Sequence, residues 1–231
     1  MASIKEIGRL EIGKVRLGKR RKEKKPPTTI LVFFPLFGTI YFCWKLDQQF
    51  HKGAYMTFHR DDSKPESDVQ RHFSLTVCEG GPDDVALQVP KHWHKHHDEY
   101  MACMEGSIRV TLDDETINTR PGDPVLFIPR RHFHGFEFPK GKRAVLKEFT
   151  QPTGEFKQRF FEDIFADAGF WGVMRGFVDG DTYIALPGPW RWVDEVYMFV
   201  LGLLVRVWRP REGRVPASVA PLVADESRKE L

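Results

Sequence analysis

Between Ala54 and Phe149 hydrophobic and polar residues alternate in short runs, and after Gly154 the spacing lengthens to that of a helix. A period of two puts successive side chains on opposite faces of a strand, and a period near 3.6 makes one apolar stripe on a helix. The runs Ala54–His59, Phe73–Cys78, Val85–Val89, Glu99–Met104, Ile108–Leu112, Val125–Pro129 and Ala144–Phe149 read as strands. Turn-forming clusters separate them: Gly80-Gly81-Pro82-Asp83-Asp84, Glu105-Gly106, Asp113-Asp114-Glu115 and Arg120-Pro121-Gly122-Asp123-Pro124. Short strands broken up in this way predict a mainly β chain, folded as a barrel or sandwich. Glu99, Met101 and Cys103 share one strand face, and Phe136 and Phe138 share the face of His134.

Phe156, Phe160, Phe161, Ile164 and Phe165 keep helical spacing and predict a helix laid across the barrel. Gly169-Phe170-Trp171-Gly172 reads as its break, and Asp181–Pro189 as a loop. A second helix is expected over 190–208. Its centre, Val196–Val205, is apolar on every side, which predicts burial against the barrel or a second copy of the chain. The alternative is an interfacial helix with Arg191, Arg206, Arg209 and Arg211 at lipid headgroups. At the other end, residues 1–27 read as a solvated arm closing in the basic run Lys19–Lys25. The apolar run Ile30–Trp44 is shorter than the roughly 20 residues that span a bilayer and contains Pro35 and Gly38. A basic flank before it leaves membrane contact through 28–44 as the alternative to a buried or interface segment. The expected division is an N-terminal extension over 1–49, a barrel over 50–151, a helical extension over 152–209 and a tail over 210–231.

A net charge of +3 over 231 residues is too small to call for nucleic acid. Three cysteines, Cys43, Cys78 and Cys103, form no disulfide framework and suit a reducing, cytoplasmic setting. No internal repeat is present, which implies one barrel per chain.

Six of the nine histidines fall between His92 and His134. His92 and His94 are two apart and face the same way on a strand. Glu99 follows a short irregular segment, and His134 follows the strand-like run after Gly122. Imidazoles and a carboxylate are ligands for a transition metal, and bringing the four together from neighbouring strands requires a closed or strongly curved sheet.

These residues resemble the cupin superfamily. Its first motif reads here as His92-x-His94, four residues, Glu99, six residues, Gly106. Its second reads as Gly122, a strand, then Pro129-Arg130-Arg131, two residues and His134. Three positions depart from the pattern: Ala86 and Arg131 stand where glycines are usual, and Phe138 where an asparagine is usual. The resemblance covers roughly residues 72–150. It implies a single cupin barrel holding one divalent transition metal (Fe, Mn, Ni, Cu or Zn) on His92, His94, Glu99 and His134. It also implies a homodimer, since cupins commonly pair their barrels, and it allows oxygenases, isomerases, decarboxylases and binding proteins.

Around that centre His96 and His97 read as rim residues, one of them available as a proton shuttle, and Asp98 as the rival of Glu99. His132 shares the parity of His134 and is expected to reach the cavity as a base, with Glu99 as the second catalytic candidate. The expected wall is Met101, Cys103, Phe127, Phe136 and Phe138, with Arg109 available to a substrate carboxylate. Such a wall favours an apolar or ring-bearing small molecule. The leading expectation is oxygenase chemistry on a metabolite, also because the chain resembles single-barrel proteins found beside secondary-metabolite enzymes. A redox-neutral isomerase or cyclase is the enzymatic rival. A non-catalytic ligand-binding or membrane-associated protein is the alternative from another class.

Overall fold

The structure is a computed structural model, and it describes residues 4–12, 53–82, 86–166, 170–188 and 190–208. The basic run Lys19–Lys25, the apolar run 28–44 and Cys43 lie outside the described residues.

Two antiparallel sheets face each other. The first runs β1-β2-β3-β10-β5-β8, built from β1 (Ile4–Ile12), β2 (Ala54–Asp61), β3 (His72–Cys78), β10 (Ala144–Gln151), β5 (Asp98–Glu105) and β8 (Leu126–Ile128). The second runs β11-β4-β9-β6-β7, built from β11 (Thr182–Ile184), β4 (Gln88–His94), β9 (His134–Glu137), β6 (Ile108–Leu112) and β7 (Glu115–Thr119). The expectation of a mainly β, cupin-like barrel with C-terminal helices holds. Alternation explains the packing. On β5, Glu99, Met101 and Cys103 are buried while the residues between them are half-buried. The inward residues Met101, Cys103, Ile108, Val110, Ile128, Phe138 and Leu146 fill one half of the barrel as a continuous apolar core.

Two glycines are set by the fold. Gly106 has φ +74°, and a Cβ there would lie 2.4 Å from the Arg143 carbonyl oxygen. Gly135 lets β9 approach β4: a Cβ there would sit 2.6 Å from the Val89 oxygen. Arg131, standing where the second motif usually has glycine, still takes the left-handed φ of +67°. Its amide donates to the His94 carbonyl at 2.6 Å, and its guanidinium pairs with Glu195. The turn therefore survives the substitution, at a cost of about 1–2 kcal/mol for a side chain in that region.

Several expectations are corrected. Residues 4–12, read as part of a solvated arm, pair with β2 from Ile4↔Asp61 to Ile12↔Ala54. Strand β7, passed over in the pattern, completes a tight hairpin with β6. Phe170, Trp171 and Gly172, read as part of a break, instead open a further helix. The helices are α1 (Phe156–Ala166), α2 (Phe170–Asp179) and α3 (Arg191–Trp208). Part of the presumed loop 181–189 is strand β11, which pairs with β4 through Thr182↔His94, Tyr183↔Trp93 and Ile184↔His92. For β11 tertiary pairing decided the outcome, because three residues carry too short a pattern to read locally.

Helix α3 buries Met198, Leu201 and Val205 against α2 and β11. Asp194 in its first turn, favourably placed for the helix dipole, accepts from Trp93 Nε1 at 2.9 Å and from the Leu186 amide at 3.0 Å. Within the single chain, the barrel accounts for one side of Val196–Val205. Val196, Phe199, Val200, Leu203 and Leu204 are exposed, since the barrel covers only one side of the helix. Among the described residues, no helix is long and apolar enough to cross a membrane.

Candidate metal centre

The site straddles the two sheets. His92, His94 and His134 come from β4 and β9, and Glu99 comes from β5 in the facing sheet. His92 and His134 are direct cross-strand partners with ring centroids 4.2 Å apart. A register irregularity at Val89–His92, where Pro90 offers no amide to the ladder, sets the end of β4 against β9. All four side chains are buried, and one ligand atom from each lies within 4.8 Å of the others.

The hydrogen bonds fix which nitrogen each ring offers. His92 Nδ1 meets the Pro90 carbonyl at 2.9 Å, His94 Nδ1 the Asp181 carbonyl at 2.9 Å, and His134 Nδ1 the His132 carbonyl at 3.1 Å. A carbonyl can only accept, so all three Nδ1 atoms carry hydrogen and all three Nε2 atoms are free to ligate. His134 Nε2 faces Glu99 Oε2 at 3.1 Å, and His94 Nε2 lies 3.6 Å from Glu99 Oε1. His94 Nε2 is buried and has no hydrogen-bond partner. Lone pairs pointed at a carboxylate need a proton or a cation between them, so the donor set fits a metal ion.

The electrostatics agree. Burial, with neighbouring imidazoles, holds His92 well below the ordinary histidine value. Burial and His97 lower His94. Both are thus neutral, the form that ligates. Burial alone would raise the Glu99 carboxyl; the Lys157 ammonium, His94 and His134 outweigh it and hold it well below the usual carboxylate range.

Of the expected wall, only Phe136 lines the cavity beside the site. Met101, Cys103 and Phe138 do face inward, but they are consumed in the barrel core. Phe127 is exposed and packs against Tyr100 on the outside, because the outward parity of β8 falls on it. Arg109 is also outside, paired with Glu137 across β6 and β9. His132 does not reach the cavity: the turn before β9 directs it to Asp113, at 2.7 Å, with 45% of its side chain exposed. Asp98 points outward to Arg130, which leaves Glu99 as the inward carboxylate. His96 is exposed as expected. His97, expected at the rim, is buried against His94 with ring centroids 4.0 Å apart.

The rest of the cavity comes from residues beyond the barrel strands. It measures about 90 Å³ and is lined by Met56, Leu87, Val89 and Phe136 from the barrel side, with Phe156, Phe160, Phe161 and Ile164 of α1 and Phe177 of α2 as its roof. Lys157, on the same first turn of α1, reaches Glu99 Oε1 at 2.7 Å and Glu148 Oε1 at 2.9 Å. Thr76 Oγ1 donates to the other Glu148 oxygen at 3.2 Å. Behind His97 stands Asp181, buried and at φ +57°. Its carboxylate accepts from the Lys95 amide (3.3 Å), the His96 amide (2.7 Å) and His97 Nδ1 (3.0 Å). His94, His97 and Asp181 form a second buried group with metal-ligating atoms.

Sequence reasoning missed Lys157, Glu148 and Asp181, and placed His97 at the rim rather than against His94. Two of them left a signal. Lys157 occupies the apolar stripe shared with Phe160, Phe161 and Ile164, and Glu148 has the inward parity of Ala144 and Leu146 on β10.

Residues 85–148 match the family model described as a cupin domain. No curated protein sequence matches the chain. Among solved structures the chain is similar to KdgF from Halomonas sp., at 19% identity over 42% of this chain and 78% of that one, with a TM-score of 0.33. It is also similar to the cupin domain of Cnp3 from Schizosaccharomyces pombe, at 16% identity over 45% and 69%, with a TM-score of 0.32. The L-ribose isomerase of Cellulomonas parahominis shows 16% identity over 34% and 48%, with a TM-score of 0.29.

Proposed function

We propose that this chain, whose residues 85–148 match the cupin domain model, is a metal-dependent enzyme acting on a small, apolar-bodied metabolite, with oxygenase chemistry as the leading reaction type. The observation that carries this reading is the convergence of three Nε2 atoms and one carboxylate, all buried, on one point beside an apolar cavity. Cradling a divalent transition metal is the role proposed for His92, His94, Glu99 and His134. A redox-active ion there supplies dioxygen chemistry, and zinc supplies Lewis-acid chemistry.

The chain's own residues have separate tasks in this proposal. Carbonyls of Pro90, His132 and Asp181 hold the imidazoles in the ligating tautomer. Phe136 and the α1 phenylalanines exclude water, which strengthens every charge interaction at the centre. Glu99, kept ionised by Lys157, is a weak base. His97 is better placed than His132 to move a proton: its Nδ1 is tied to Asp181, and its Nε2 lies 4.0 Å from Glu99 Oε1 on the cavity lining.

The test is elemental analysis of the untagged protein and of His134→Ala. One equivalent of a redox-active metal, lost in the variant, supports the oxygenase reading; one equivalent of zinc moves the proposal to isomerase or cyclase chemistry. Absence of bound metal in the wild type after reconstitution refutes the enzyme.

A further inference from the structure

Among the described residues that line the cavity, Lys157 carries the lasting positive charge. We propose that Lys157 anchors an anionic oxygen of the substrate, so that the site takes a small carboxylate with an apolar body. This rests on the metal reading above.

Three observations lead here. An ammonium has three protons to donate. Two go to Glu99 and Glu148, and among the described residues the third has no acceptor. Next comes charge. A divalent cation and Lys157 bring three positive charges against the two negative ones of Glu99 and Glu148, which leaves room for one anionic ligand. Asp181 stands outside this tally, since it is not on the lining and its carboxylate meets His97 and two backbone amides. Finally, stability does not explain the trio. Well-packed apolar residues in place of a buried ion pair are often neutral or stabilising, and every neighbour of Lys157 on its stripe is apolar.

The remaining wall sets the rest of the molecule. Phe156, Phe160, Phe161 and Phe177 offer no hydrogen bond, so the body of the ligand is hydrocarbon. An engineered cavity of ~150 Å³ accepts benzene, and this one measures about 90 Å³. An acid of a few carbons fits without movement of the roof.

The experiment uses the full-length chain loaded with cobalt(II) and titrated calorimetrically with butyrate and, separately, with 1-butanol. Removing Lys157 alone would strand two buried carboxylates, so the informative variant is Lys157→Met combined with Glu148→Gln, which is uncharged at both positions. Butyrate is expected to bind the wild type more tightly than 1-butanol does, and about 10- to 100-fold more weakly to the double variant, as for a lost charge-assisted hydrogen bond. Affinity for 1-butanol should stay within about 3-fold. Equal butyrate affinity in both proteins, or no preference for butyrate over 1-butanol in the wild type, overturns the proposal. Cobalt content is read on every sample. If the wild type takes up none, the metal reading fails and the charge balance behind Lys157 goes with it; cobalt uptake with equal butyrate affinity in the two proteins overturns the Lys157 anchor alone.

Discussion

Replacing Asp181 by asparagine tests whether the segment after α2 holds the metal centre in shape. Asparagine tolerates the left-handed backbone found here, so the change isolates the carboxylate. That carboxylate accepts from the Lys95 amide at one oxygen, and from the His96 amide and His97 Nδ1 at the other. An amide oxygen can serve one side only. The other side then meets an NH2 group, donor against donor, and the bonds that remain lose their charge assistance. One stranded donor costs about 1–3 kcal/mol, and the loss of charge from the rest adds about 1, for roughly 2–4 kcal/mol in all. At about 2–4 °C per kcal/mol for a chain of this size, the melting temperature in excess chelator should fall by roughly 5–15 °C. The same carboxylate anchors the turn whose first residue is His94, and His94 Nδ1 donates to the Asp181 backbone. Metal affinity, measured by competition with a chromophoric chelator, should therefore drop about 10- to 100-fold, the usual effect of disturbing a partner of a metal-binding histidine. A variant that melts within about 1 °C of wild type, with affinity within 2-fold, would show that Asp181 supports neither the turn nor the metal.

Acid should destabilise the metal-free chain below neutral pH. The buried His92 and His94 bind protons less readily folded than unfolded, so below about 6.5 the unfolded state takes up protons that the folded state refuses. Stability then falls by up to ~1.4 kcal/mol per pH unit for each histidine, and Glu99, depressed when folded, adds a loss below about 4.5; a melting temperature unchanged between pH 7.5 and 5.5 contradicts this. Gly135→Ala should cost about 1–3 kcal/mol in chemical denaturation and reduce bound metal, because its methyl group meets the Val89 oxygen beside His134; wild-type stability would refute the close approach of β9 to β4. Leu201→Ala, buried between α3 and the helices below it, should cost about 2–5 kcal/mol, whereas exposed Leu203→Ala should stay within about 0.5 kcal/mol; equal effects in urea titrations would mean the outer face of α3 is covered.

The barrel was legible because alternation, turn residues and motif spacing all depend on neighbours in sequence. His92, His94, Glu99 and His134 meet as their parity and spacing require, and Gly106 stands where a positive φ demands it. The cavity was less legible, since its roof comes from helices whose contact with the barrel has no local signature. His132 shared the parity of His134 but not its fate, because the residues just before a strand need not follow the strand's alternation. Phe127 failed for a related reason: period two says that faces alternate, not which face is inside. The strand β11 is read only through its partner, as three residues beside β4 make sense once β4 is in place. Lys157 broke an otherwise apolar helical stripe, and a charge in such a place is the trace that a careful reading could have followed.

The first turn of α1 carries both part of the ceiling, through Phe156, and the ammonium that grips Glu99. Lifting that turn to admit a bulkier guest would drag the ammonium off the carboxylate. Under the proposed function, admission and hold on the cation would share one latch, and size exclusion would be enforced by charge separation as well as by shape.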